Sequence, residues 1–145
     1  MRAVIQRVKN AEVKINDKIV GKIGRGLLVL LAIHRDDTED KIEKLAVKII
    51  NLRIFADKED KMNLSVKDVE GEILVVSQFT LYGDTSKGNR PSFIESARPD
   101  KAIPYYKKFI EKIKGSGLKT ATGEFGAMME VELINDGPVT VIIGA

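Results

Sequence analysis

The sequence predicts an α+β fold in a single domain, and three observations predict it. Apolar and charged residues alternate loosely from Arg2 to Ile23, broken at Asn16-Asp17, which is the period of strands joined by a tight turn. Two stretches, 37–49 and 103–114, instead repeat their apolar residues at helical spacing. A clean alternation then returns from Met129 to Leu133, followed by the β-branched run Val139–Ile143. A chain of 145 residues with 43% hydrophobic content has the size of one ordinary domain and can bury a sizeable core. No internal repeat, low-complexity segment or linker divides residues 1–145.

In chain order, Val13, Ile15, Ile19 and Val20 flank the Asn16-Asp17 turn as β-branched strand residues. Arg7 sits mid-strand between Ile5 and Val8, where one face is expected to be buried; a solvent-facing arginine is the plainer expectation. Leu27 to Ile33 is an unbroken apolar run of the kind covered on both faces, so it belongs at the centre of a sheet. Gly24-Arg25-Gly26 precedes that strand and opens no helix, so it is not a phosphate loop. Asp37-Thr38 starts the first helix as a capping pair, with Ile42, Leu45, Ala46 and Ile49 on one face.

Leu52 to Phe55 has the look of a short strand, and Asp57-Lys58-Glu59-Asp60 lacks the ligand alternation of a calcium loop. A further strand, Ile73 to Val76, runs into Ser77-Gln78-Phe79-Thr80 and stops at Gly83. The second helix places Ile103, Tyr106, Ile110 and Ile113 on one face, with Pro104 in or near its first turn, and ends at Gly115-Ser116-Gly117. Asn135-Asp136-Gly137-Pro138, taken alone, is hairpin chemistry that turns the penultimate strand into Val139–Ile143.

Composition removes several function classes. The absence of cysteine excludes disulfides, thiolate metal sites and cysteine nucleophiles, and suits a reducing compartment such as the cytoplasm. The longest apolar run is too short to span a bilayer, and Met1 to Arg7 lacks a signal-peptide core, so neither membrane nor export is expected. A net charge of +3 suits a phosphate-bearing partner without proving one. No metal site or cofactor motif is evident. His34, the only histidine, ends a strand with no serine or aspartate constellation beside it in sequence.

The chemistry concentrates at Ser77, Gln78 and Thr80, where polar side chains occupy a strand that is still expected to bury apolar ones. Buried polar groups need partners or a job. The plain alternative is a strand end whose hydroxyls and amide satisfy neighbouring backbone groups. Downstream, Lys87 and Arg90 around Gly88 form a basic loop suited to a phosphate backbone, or a generic exposed loop.

With Ser77-Gln78-Phe79-Thr80-Leu81 and Asn135-Asp136-Gly137-Pro138-Val139-Thr140 both present, the chain closely resembles the D-aminoacyl-tRNA deacylases. The likeness runs from Met1-Arg2-Ala3-Val4-Ile5-Gln6-Arg7-Val8 through Gly88-Asn89-Arg90-Pro91-Ser92-Phe93 to the last strand, essentially the whole chain. The chain departs from the family pattern at Met128, near which members often carry an acid. The resemblance implies a curved, mainly antiparallel, barrel-like sheet with two main helices, in a homodimer whose active site lies at the subunit interface. It implies an enzyme that hydrolyses the ester of D-aminoacyl-tRNA, a chiral proofreading step in translation quality control, without a cofactor. The partner is then the 3′ acceptor end of aminoacyl-tRNA.

On the same resemblance, Ser77, Gln78, Phe79 and Thr80 are the catalytic set. Gly137-Pro138 is a cis peptide that reaches into the other subunit's site and screens chirality, and Arg7 supports it. A rigid backbone on one side of the α-carbon excludes an L side chain by clash. Glycine has no Cβ, so glycyl-tRNA is expected to pass such a filter.

Thr80 is the obvious nucleophile, yet the local sequence supplies no base to activate it, and water is the favoured attacker. Backbone N–H groups around Phe79 and Thr80 would then stabilise the oxyanion. Two other classes stay open on sequence alone: an RNA-binding module that captures aminoacyl-tRNA ends without chemistry, and a structural dimer whose polar strand end is core hydrogen bonding.

Overall fold

A computed structural model describes residues 1–145. Its strands are β1 (Arg2–Ile15), β2 (Lys18–Ile23), β3 (Gly26–Ala32), β4 (Phe55–Ala56), β5 (Met62–Leu64), β6 (Glu72–Ser77), β7 (Thr120–Thr122) and β8 (Glu130–Gly144). The helices are α1 (Asp40–Ile50) and α2 (Pro99–Lys114), and a 3-10 turn covers Phe79–Tyr82. The main sheet runs β2-β1-β3-β6-β7, with β8 on the other side of β1. The sheet curls nearly into a barrel where β2 meets β7: a Cβ on Gly21 would lie 2.5 Å from the Thr122 carbonyl oxygen, so only glycine admits that approach. No helix is long and apolar enough to cross a membrane.

The β1–β2 turn forms as expected, with Asn16 and Asp17 both at positive φ, 49° and 62°. Pairing of β1 with β2, β3 and β8 is antiparallel, but β3–β6 and β6–β7 are parallel. The parallel pairs follow from connectivity, since α1 lies in the connection from β3 to β6 and α2 in that from β6 to β7. β3 is central, as its apolar run requires, and all but one of its residues are buried.

Two apolar clusters result. Twenty buried residues fill the space between the sheet and the helices, and seven more, including Val8, Val13, Leu28 and Leu74, fill the barrel. A strand can serve both only by changing face, and β1 does so through its irregularities. Ala3 and Ile5 face the helices, while Val8, Ala11 and Val13 face the barrel.

Several local expectations differ from the structure. In α2 the buried face is Ala102, Tyr106, Phe109 and Ile113, leaving Ile103 and Ile110 half-buried; the larger Phe109 ring takes the core position. Pro104 lies in the second turn of α2, on its exposed side, where the carbonyl left without a partner stays within reach of water. Residues 52–54 are not strand; β4 is only Phe55–Ala56, paired with β5 around the Asp57 turn. Asp37 does not cap α1, because its carboxylate is taken by the Met1 amine, the His34 N–H and Lys41. Burial opposes its ionisation, but those hydrogen bonds prevail and hold the carboxyl below its ordinary value. The α1 face itself is as predicted, with Ile42, Leu45, Ala46 and Ile49 all buried.

The largest correction concerns Asn135–Pro138, which does not turn a hairpin. β8 passes through it as one strand, antiparallel to β1 on both sides. From Gln6↔Thr140 to Val8↔Asn135, β1 advances two residues and β8 five, so β8 loops out three extra residues opposite Arg7.

Candidate active site

β6 ends at Ser77, and the Gln78 N–H still reaches the Leu31 carbonyl at 2.8 Å before the chain leaves the sheet. Gln78 (φ −143°, ψ 72°) turns the backbone into the 3-10 turn, so the polar residues are not buried in a strand. Ser77 and Gln78 are half-buried, and Phe79 and Thr80 are exposed. The turn is pinned from three directions. Arg2 Nη1 donates to the Leu81 carbonyl at 2.7 Å and its guanidinium lies over the Tyr82 ring. Ser96 Oγ donates to the Phe79 carbonyl at 2.8 Å. Phe79 meets Phe93 edge to face, ring centroids 5.1 Å apart.

Within this frame, Gln78 Nε2 donates to Thr80 Oγ1 at 2.5 Å. No histidine, lysine or carboxylate is hydrogen-bonded to Thr80, so nothing in the chain activates its hydroxyl. Tyr82 supplies no base either: burial, with the Asp37 charge, pushes its phenol up to about 12 despite the opposing charge of Arg2. The Phe79 and Thr80 N–H groups have no hydrogen-bond partner in the chain. Two backbone donors of the turn are thereby left unpaired beside the strand end.

Beside the turn lies a cavity of about 370 Å³. Ser77, Gln78 and Phe79 line it together with Phe93, Arg98 and Phe125, and Thr80 does not. Sequence periodicity gave no signal for the latter three lining residues, because a loop, the start of α2 and the segment before β8 converge only in three dimensions. His34 is outside the cavity; its Nε2 contacts Glu95 Oε2 at 2.9 Å and its Nδ1 accepts the Asp36 N–H. Lys87 and Arg90 are exposed and make no ion pair, but they do not line the cavity. No cluster of three metal-ligating side chains forms.

The second motif is built by Arg7. Its side chain is only 14% exposed, contrary to the plainer expectation of a solvent-facing residue. Arg7 Nε donates to the Asp136 carbonyl at 3.0 Å and Nη1 to the Ile54 carbonyl at 2.6 Å, so one rigid fork ties the looped-out segment to the chain beside β4. Asn135 Nδ2 closes the neck of the loop by donating to both the Arg7 and Val139 carbonyls. Gly137-Pro138 is cis, and Gly137 has φ +134°. Both residues are exposed at the tip.

Within the chain the two motifs do not come together. Arg7 pairs with Leu27 and Leu27 with Ile73, so the Gly137-Pro138 loop lies three strands from β6, about 14 Å across the sheet. Ser77 is four residues further along β6, about another 13 Å.

The family of D-Tyr-tRNA(Tyr) deacylase matches residues 4–144 of the chain. The D-aminoacyl-tRNA deacylase of Thermosipho africanus is 60% identical over 143 residues, covering 99% of this chain and 96% of that protein. The enzyme of the same description from Fusobacterium nucleatum is 58% identical, covering 99% and 95%. Among solved structures, the c-Myc DNA Unwinding Element Binding Protein superposes with a TM-score of 0.94 at 41% identity, covering 100% of this chain and 99% of that one.

Proposed function

The chain belongs to the D-Tyr-tRNA(Tyr) deacylase family and is a hydrolase of the aminoacyl-tRNA ester bond; from that premise we propose a chiral site that two copies of the chain complete together. The observation that carries this reading is the separation of Ser77–Thr80 from Gly137-Pro138 within one subunit. A filter that lies strands away from the reacting ester acts only on a neighbour's substrate. The free outer edge of β8 and the exposed Ile134 and Ile142 along it support a second copy there.

In the proposed reaction, water attacks the ester carbonyl carbon and the Phe79 and Thr80 N–H groups hold the oxyanion. The bond to the ribose 3′-oxygen then breaks, and the water proton passes to that oxygen with the ribose 2′-OH assisting. Ser77 and Gln78 orient the substrate, and Gln78 keeps Thr80 as an acceptor instead of a nucleophile. The Gly137-Pro138 backbone, supported by Arg7, excludes the L side chain. Glycyl-tRNA, lacking Cβ, passes and is cut. Lys87 and Arg90 touch the tRNA backbone, and the enzyme proofreads in the cytoplasm. Hydrolase membership removes the reading as a chemically inert RNA-binding module or structural dimer.

Subunit mixing tests the shared site. Phe79→Pro damages the catalytic half and Arg7→Ala the filter half, so co-purified heterodimers regain one intact site. The heterodimer is expected to cut the D ester far faster than the Phe79→Pro homodimer and with a D-to-L ratio well above that of the Arg7→Ala homodimer. A heterodimer with the D-to-L ratio of the Arg7→Ala homodimer places both motifs in one subunit and sinks the shared site.

A further inference from the structure

Of the 14 residues lining the cavity beside Ser77, Arg98 is the only charged one. Its backbone is fixed, because its carbonyl accepts the Lys101 and Ala102 N–H groups at 3.0 and 2.8 Å and starts α2. Its guanidinium is free of any hydrogen bond or ion pair. The Glu95 carboxylate, three residues earlier, is engaged by His34 at 2.9 Å and Arg35 at 3.2 Å. An apolar cavity flanked by Phe79, Phe93 and Phe125, with one exposed, unpaired planar cation at its rim, matches a nucleotide: rings for the base, a fork of donors for a phosphate.

We propose that Arg98 binds the phosphodiester immediately 5′ of the terminal nucleoside of aminoacyl-tRNA, and so places the ester beside Ser77 and Gln78. The proposal rests on the deacylase reading above and assigns a specificity-determining contact within it. Lys87 and Arg90 differ from Arg98 in lying outside the cavity, where they meet the tRNA backbone without registering its end.

The test compares two small esters, D-tyrosyl-adenosine with and without a 5′-phosphate capped as its methyl ester. For the wild type the phosphate is expected to lower KM by about tenfold to a hundredfold, with little change in kcat. In Arg98→Ala that gain is expected to shrink below about threefold, and Arg98→Lys to keep part of it, as a point charge without the fork. On intact D-tyrosyl-tRNA, Arg98→Ala is expected to flatten the dependence of log(kcat/KM) on log salt by about 0.7. A phosphate gain that persists in Arg98→Ala, or a wild type indifferent to the phosphate, overturns the proposal. A wild type that leaves D-tyrosyl-tRNA intact defeats the deacylase reading itself, a distinct outcome.

Discussion

Gly137→Ala is expected to collapse the distinction between D and L esters. A Cβ at this position would lie 2.7 Å from Val139 Cγ2 and 3.0 Å from both the Val139 nitrogen and Arg7 Nη2. The φ of +134° is also one that L side chains rarely adopt. Backbone and side chain therefore object together, and the looped-out segment must shift away from Arg7. Strain of this kind costs about 1–3 kcal/mol, enough to move a backbone filter that works by clash over fractions of an ångström. The ratio of D to L cleavage is expected to fall about tenfold or more, chiefly because the L ester is admitted. Single-turnover hydrolysis of D- and L-tyrosyl-tRNA measures it. A stably folded Gly137→Ala enzyme with the wild-type ratio would show that the segment does not screen chirality.

Phe79→Pro is expected to remove most of the catalytic rate. The substitution deletes one of the two unpartnered N–H groups at a position where the turn's backbone tolerates proline's φ. Loss of one oxyanion donor costs about 10²–10³ in kcat. Phe79→Ala is the control, because it also discards the edge-to-face contact with Phe93 but keeps the N–H. It is expected to lose no more than about tenfold, since one aromatic pair is worth about 0.5–1.5 kcal/mol. Equal losses in the two variants would assign the effect to the ring and remove the backbone oxyanion site from the mechanism.

Legibility in the sequence followed what local pattern encodes. The 3.6-residue period showed the buried face of α1 because Ile42, Leu45, Ala46 and Ile49 are all apolar on one side. In α2 Ile103 and Ile110 rotate the apparent stripe slightly from the true one, and only packing decides that Phe109 is the core residue. Strand period reveals a strand's faces but not its neighbours, so the parallel pairing of β6 with β3 and β7 was not visible, and three-residue β7 was too short to register.

The site divides in the same way. Ser77, Gln78 and Thr80 stood out as polar residues at the end of an apolar strand. Arg98 and Phe125 are ordinary in sequence and matter only because α2 and the approach to β8 bring them to that strand end. Asn135–Pro138 carries every residue a hairpin needs. Its strand runs straight on because Arg7, 129 residues earlier than Asp136, holds the extra residues out from the sheet. No local window contains that interaction.

On the proposed reading, the site separates esters by the presence and direction of one Cβ. The most direct measurement of that separation is the release of amino acid from D-tyrosyl-, L-tyrosyl- and glycyl-tRNA, matched on one tRNA, over a range of enzyme concentrations. Rapid loss of the D ester, loss of the glycyl ester at higher enzyme, and persistence of the L ester is the result predicted. Equal loss of D and L esters, or a glycyl ester that resists while the D ester is cut, would contradict a filter that works by excluding the L side chain.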